Sequence, residues 1–239
     1  MVLPNLKGFK IIDLSHPIYH RMPSWPGHSQ LTITDLKIFS IDGYAVKNLS
    51  INTHHGTHMD VEAHMVENGL TIDKYPLESF IGRGIIFDVS SSLPASPVDD
   101  SNIKIYGDKI SKGDIVLLYT GWDKFRGNNL KYLFEWPYVT PKLAKFFVKK
   151  KIKMLGTDGL SIGGWGDNTS THKIVTNTSG EVHKILLKNK IIILEELANL
   201  GKALDGKKYV QIFLIALPLF IQDSDGSPVR AIAIIDTEQ

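Results

Sequence analysis

Short runs of isoleucine, valine and leucine recur along the whole chain, each bounded by turn-forming residues. Residues 10–14, 31–38, 46–51, 84–89, 115–119, 191–194, 209–217 and 229–235 share this character, which marks strands. Residues 229–235 read Val-Arg-Ala-Ile-Ala-Ile-Ile, a strand near the chain end. The longest apolar stretch, 212–221, is too short for a membrane span and contains Pro218, so it predicts a buried strand. Helical spacing is confined to three places. Thr140-Pro141 leads into 142–150, where Thr caps, Pro takes the first turn, and Leu143, Phe146 and Phe147 share a face. Thr178-Ser179-Gly180-Glu181 has a capping-box pattern and opens a second helix that turns Val182, Ile185 and Leu186 inward. A third, short helix is expected over 197–204. The Pro- and Gly-bearing breaks at 94–100, 163–166 and 223–228 are too short for interdomain linkers, and there is no internal repeat. The pattern predicts one domain over residues 1–239, of α/β structure dominated by strands.

Composition narrows the class. The chain has 239 residues, 43% hydrophobic and 22% charged, with net charge +2, values ordinary for a globular protein with a sizeable core. Its basic residues are scattered. The densest patch, Lys149-Lys150-Lys151 with Lys153, also carries Ile152 and Met154. It reads as a helix end running into a strand, not as a nucleic-acid footprint. There is no cysteine, so any bound metal must be held by nitrogen and oxygen. The first twenty residues lack the apolar core and cleavage site of a signal peptide. The expectation is a cytoplasmic protein acting on a small molecule, with neither nucleic acid nor membrane as partner.

Chemistry concentrates in one segment. Four of the nine histidines fall within His54-His55-Gly56-Thr57-His58-Met59-Asp60-Val61-Glu62-Ala63-His64, together with two carboxylates. Histidine is the commonest metal ligand, and carboxylates complete hard or borderline sites. In an extended segment His54, His58, Asp60, Glu62 and His64 would point to one side. In a helical turn His54 with His58, and Asp60 with His64, would be neighbours. Gly56 argues against a regular helix and for a tight approach of backbone to something bound. Further on, His183 sits within the second helix, and Glu195-Glu196 ends the apolar run 191–194. A carboxylate at the end of a buried strand is rigidly held, as a ligand must be. The plainer alternative is a surface His183 with Glu195 or Glu196 capping the next helix.

The segment resembles the signature of the cyclase-like metal-dependent hydrolases, a family that includes bacterial kynurenine formamidase and isatin hydrolase. That signature reads His-x-Gly-Thr-His-x-Asp-x-Pro-x-His, and His54, Gly56, Thr57, His58, Asp60 and His64 match it. Other matches follow in order: Ile11-Ile12-Asp13-Leu14-Ser15, Trp25-Pro26-Gly27, Gly156-Thr157-Asp158-Gly159-Leu160-Ser161, His183-Lys184-Ile185-Leu186-Leu187, Ile193-Leu194-Glu195-Glu196-Leu197, Leu217-Pro218-Leu219 and Asp225-Gly226-Ser227-Pro228-Val229-Arg230-Ala231. The resemblance implies a swivelling β/β/α fold, a homo-oligomer (dimer or tetramer), and one or two divalent ions, zinc or manganese, per subunit. It implies that His54, His58 and Asp60 hold one ion, and that Asp60 bridges to a second held also by His183 and Glu195. His64 would then transfer protons. Trp25 would flank the substrate, across a subunit interface, or else be simple packing beside a Pro-Gly turn. His55 has no part in the pattern and is expected near the ligands or at the surface.

Two positions depart from the family pattern. Glu62 stands where proline is usual, either facing the ligands and hydrogen-bonding a histidine, or exposed and paired with a lysine. The acidic residue expected shortly after Ser161 is missing, since Ile162-Gly163-Gly164 follows. The reaction implied is hydrolysis of a small amide, formamide or cyclic amide by metal-activated water. A lyase or dehydratase using the same ions, and a relative that binds without turnover, are the competing readings.

Overall fold

A computed structural model describes residues 8–165 and 179–236. Among the described residues there are ten strands: β1 (Phe9–Asp13), β2 (Thr32–Lys37), β3 (Val46–Ser50), β4 (His58–Asp60), β5 (Ile81–Asp88), β6 (Ile115–Tyr119), β7 (Met154–Thr157), β8 (Ile192–Glu195), β9 (Tyr209–Pro218) and β10 (Gly226–Asp236). Eight form one sheet in the order β1-β10-β4-β8-β7-β6-β5-β9, and β9 pairs again with β10, which closes the sheet on itself. β2 and β3 make a separate two-stranded ribbon. The strand-dominated α/β architecture expected from the sequence is what forms.

Helices α1 (Phe39–Asp42), α2 (Ser101–Tyr106), α3 (Leu130–Phe134), α4 (Pro141–Lys150), α5 (Ser179–Lys188) and α6 (Leu200–Leu204) join the strands. α4 begins where Thr140 accepts from the Leu143 N–H at 3.2 Å, with Pro141 in the first turn. It ends at Lys151, whose left-handed φ of 56° stops the helix before β7. The expected cap of the second helix, Thr178, lies outside the described residues. The third helix begins later than position 197: Leu197 bridges to Ser15, and Asn199 is left-handed at φ 57°.

Strands β5, β6, β7 and β8 run parallel and are buried on both faces, so successive residues feed two different cores. Ile86, Ile115 and Leu117 enter one core with Met59 and Leu194. Ile85, Phe87, Val116 and Leu118 enter the other, against Leu143 and Phe147 of α4 and Val182 and Leu186 of α5. A third cluster, purely aromatic but for Leu160, gathers Trp122, Tyr132, Trp136, Tyr138 and Trp165. The stretch 212–221 is not uniformly buried. Burial alternates along β9, leaving Phe213 and Leu217 exposed, and Leu219, Phe220 and Ile221 emerge into solvent beyond it. No helix among the described residues is long and apolar enough to cross a membrane.

Candidate metal centre

The eleven-residue segment is neither one extended run nor a helix. Residues 53–57 turn, 58–60 form β4, and Glu62–His64 make a single 3-10 turn. β4 is held antiparallel on both sides, by β8 and by β10. Its alternation sends Met59 into the core and turns His58 and Asp60 to the opposite face. Register then does the assembly, since His58 lies directly across from Glu195. α5 packs over the sheet and delivers His183, 4% exposed, to the same point. His183 is therefore no surface residue, and neither Glu195 nor Glu196 caps α6, whose N-cap position is Asn199.

The polar atoms converge. His54 Nδ1 lies 2.7 Å from Asp60 Oδ1, and His58 Nε2 lies 3.4 Å from the same oxygen. His183 Nε2 sits 3.5 Å from Asp60 Oδ2 and 3.2 Å from Glu195 Oε1. His58 Nε2 is 3.5 Å from Glu195 Oε2. Ligand atoms of His54, Asp60 and His64 fall within 4.8 Å of one another, as do those of His58, Asp60 and Glu195. All five residues expected to bind metal thus meet, with Asp60 common to both groups. His64 stands beside them, its ring 4.2 Å from that of His54 between centroids.

Electrostatics suit a cation. Burial alone would lower His54, but the Asp225 and Asp60 carboxylates raise it to about 10. Burial would likewise lower His183, and Asp60 with Glu195 raises it to about 10. Burial favours the protonated form of Asp60, yet His183 and His54 hold it well below the usual carboxylate range. The carboxylates thus draw positive charge to this point, whether as protons or as a divalent ion. The donors are all nitrogen and oxygen, as suits zinc or manganese. His58 is already oriented: Gly56 O, which only accepts, lies 2.7 Å from its Nδ1, so Nε2 is the nitrogen presented to the carboxylates.

Above the donors is a cavity of about 160 Å³ whose wall includes Trp25, His28, Met65 and Leu160. Trp25 lines the cavity of its own chain, against Trp165 at 5.1 Å and Trp136 at 5.8 Å between centroids. It is thus both cavity wall and part of the aromatic packing. The chain lacks the acid that the family pattern has after Ser161, but that turn serves the site anyway. Ser161 Oγ and the Ile162 N–H both donate to Glu195 Oε1, at 3.0 and 2.7 Å. Asp158 fixes the turn by accepting from the Thr120, Gly121 and Trp122 N–H groups.

His55 takes the first of its two expected places, near the ligands, and is fully buried there: Nδ1 accepts from Asn52 N–H and Nε2 donates to Ser29 O. Two positions differ from expectation. Among the described residues Glu62 meets no ligating histidine and no lysine; its Oε1 accepts from Tyr75 OH at 3.1 Å. Asp225, in a segment that matches the family pattern but has no role assigned by it, reaches the site. It lies 2.8 Å from His54 Nε2 and 3.3 Å from His64 Nδ1. The only sequence signal for it was an acid before glycine at a turn entering a strand. Gly226 is needed there, because a Cβ would meet Met59 O at 2.6 Å.

Known proteins resemble this chain in sequence and fold. The chain is 32% identical to an uncharacterized protein of Methanocaldococcus jannaschii, over 95% of this chain and 100% of that one. It is 28% identical to a kynurenine formamidase of Bacillus cytotoxicus, over 95% and 98%. Among solved structures, an isatin hydrolase bound to the product analogue thioisatinate shares the fold at TM-score 0.81 and 22% identity, over 96% and 94%. A predicted metal-dependent hydrolase from Bacillus stearothermophilus superimposes at TM-score 0.69 and 25% identity, over 95% and 98%. The family model described as "Putative cyclase" matches residues 12–163. By that match over more than half of its length, and by its identity to the Methanocaldococcus jannaschii protein, this chain belongs to that cyclase family.

Proposed function

We propose that this protein is a metal-dependent hydrolase that cleaves the carbon–nitrogen bond of a small amide, formamide or cyclic amide. The observation that carries the reading is the convergence of His54, His58, Asp60, His183 and Glu195 beneath an aromatic-walled cavity of about 160 Å³. In this reading His54, His58 and Asp60 hold one ion, zinc or manganese. Asp60, His183 and Glu195 would hold a second. Such ions, when bound, make hydroxide available near neutral pH and polarise a carbonyl. The protein's own groups do the rest. Asp60 and Glu195 supply the negative charge, while Ser161 and Ile162 fix the Glu195 carboxylate. Trp25 and Leu160 exclude water from one side and accept a planar group. His64, at the cavity edge, carries a proton from the attacking water to the departing nitrogen, a role worth ~10²–10⁴-fold.

The reading also includes a cytoplasmic homo-oligomer. The β2–β3 ribbon and α1 leave Leu36 64%, Phe39 71% and Ile41 80% exposed, the kind of apolar patch that self-association covers. The decisive experiment assays an aryl formamide and a cyclic imide with zinc or manganese added and after chelation. Metal-dependent turnover of either supports the proposal. Metal binding without turnover of either points instead to the lyase or ligand-binding alternatives.

A further inference from the structure

Asp225 occupies a position that the metal-binding reading leaves without a role. One oxygen, Oδ2, is 2.8 Å from His54 Nε2 and 3.3 Å from His64 Nδ1. The other, Oδ1, accepts from Thr53 Oγ1 at 3.0 Å, which sets the plane of the carboxylate. The backbone is fixed as well: the Val61 N–H donates to Asp225 O at 3.1 Å, and Gly226 pairs with Asp60 across β10 and β4. A Cβ at Gly226 would meet His54 Cε1 at 3.1 Å, so glycine lets the following strand come close enough for the contact.

The chemistry of those contacts is directional. Ionised carboxylate oxygens only accept, so each facing ring nitrogen carries its hydrogen. His54 faces a carboxylate through each nitrogen, Asp60 at Nδ1 and Asp225 at Nε2, so where Nδ1 is given to an ion, as the metal-dependent reading has it, Nε2 keeps its proton toward Asp225. His64 keeps its proton on Nδ1, leaving the Nε2 lone pair for the cavity it lines. Proton transfer through Nε2 needs that tautomer of His64, and ligation through Nδ1 needs the complementary one in His54. Without Asp225 none of these contacts holds the His64 proton on Nδ1, and Asp60 alone draws the His54 proton to Nδ1.

We propose that Asp225 is a positioning residue that sets the tautomers of His54 and His64 through a single oxygen, tying metal retention to proton transfer. This rests on the metal-dependent reading of the site but is tested apart from it. Asp225→Asn and Asp225→Ala, with histidine labelled in the ring nitrogens, are compared with the parent protein by NMR in the zinc-loaded state. The parent is expected to show a protonated Nδ1 on His64 and a protonated Nε2 on His54, and the variants mixed or reversed tautomers. Zinc affinity falls ~10–100-fold in the variants. At saturating zinc, kcat falls by a similar factor with KM little changed. Asp225→Ala combined with His64→Gln is no slower than His64→Gln alone. The proposal is overturned if both variants keep the parent tautomers, or if the two losses multiply. It is overturned too if zinc cannot be restored at any concentration, since Asp225 would then be a ligand. Should no tested substrate turn over, the hydrolase reading fails while the tautomer and zinc measurements still decide this one.

Discussion

Two stretches of chain meet in the cavity by opposite routes. Residues 54–64 supply His54, His58, Asp60 and His64 within eleven positions, across a turn, a three-residue strand and one helical turn. Residues 183–195 supply only His183 and Glu195, from the middle of α5 and the end of β8. The first stretch is dense in sequence and irregular in structure. The second is sparse and wholly regular, with every site side chain placed by a core: Val182 and Leu186 flank His183, and Ile193 and Leu194 precede Glu195, all buried. A ligand on a packed element costs little extra ordering, whereas one in a turn needs its own tethers. Those tethers are visible as Asn52 N–H to His55, Thr57 Oγ1 to Glu196 O at 2.6 Å, and Asp225 to His54.

Asp60 is where the two stretches join, and its loss should be the largest effect of any single change. It touches His54 and His58 from its own stretch and His183 from the other. Asp60→Asn keeps the shape and removes the charge on which a divalent cation relies. Elemental analysis after dialysis should find less metal than in any other single-ligand variant, and activity should fall by more than the His64 variant below. Full metal content in Asp60→Asn would remove the shared carboxylate from the mechanism.

His64 separates binding from chemistry within the dense stretch. It lies near His54 and Asp60, yet the other donors already surround Asp60. His64→Gln should therefore retain metal while kcat drops ~10²–10⁴-fold at nearly constant KM, about 3–5.5 kcal/mol. A metal-free His64→Gln would make it a ligand, in the group its ring geometry also allows. Parent-like turnover would place the proton carrier elsewhere.

The same contrast explains how much was legible beforehand. The central strands and α4 could be read because apolar spacing, a Thr cap and Pro141 act locally. The metal-binding set could be suspected because four histidines in eleven residues is a local anomaly. What could not be read is what only closure of the sheet creates. Asp225 is 161 residues from His64 and reaches it through the β10–β4 pairing. His55 looked like a spare histidine, but a buried tether between Asn52 and Ser29 has no signature in the sequence. The stretch 212–221 read as buried because hydropathy does not show which face of β9 meets solvent.

A third, smaller effect tests whether the dense stretch depends on support from behind. The His16 N–H donates to Thr57 Oγ1 at 3.0 Å, and its ring is packed near Arg126. Burial, then the Arg126 charge, lower His16 to about 4. Its folded value is below the unfolded one, so the neutral ring stabilises the fold fully above about 6.5, and this is lost as pH falls through about 4. Allowing for partial exposure, the loss is ~2 kcal/mol. Denaturant titrations between pH 7 and 4 should show that slope in the parent and a flatter one in His16→Gln. Equal slopes would assign the acid sensitivity to other groups.

The smallest effect belongs to Glu62, the residue within the signature that departs from the family's usual proline. It is the first residue of the Glu62–His64 turn, and Val61 before it is extended at φ −118°, ψ 177°. Proline fits both facts, since it favours the first helical position and an extended predecessor. Its carboxylate turns away from the histidines to accept from Tyr75 OH. Burial, followed by the Glu62 charge, pushes the Tyr75 phenol well up, so it stays a donor at every ordinary pH. Glu62→Pro therefore loses one partly buried hydrogen bond, ~0.5–1.5 kcal/mol, and regains ~0.4–1 kcal/mol from a stiffer unfolded chain. Net stability should move by less than about 1 kcal/mol, and Tyr75→Phe should cost about as much as the hydrogen bond alone. Metal affinity should not change in either variant, because neither partner touches a ligand. A tenfold shift in metal affinity with Glu62→Pro would mean that Glu62 acts on the ligands after all, and that the dense stretch is tuned from within as well as from Asp225.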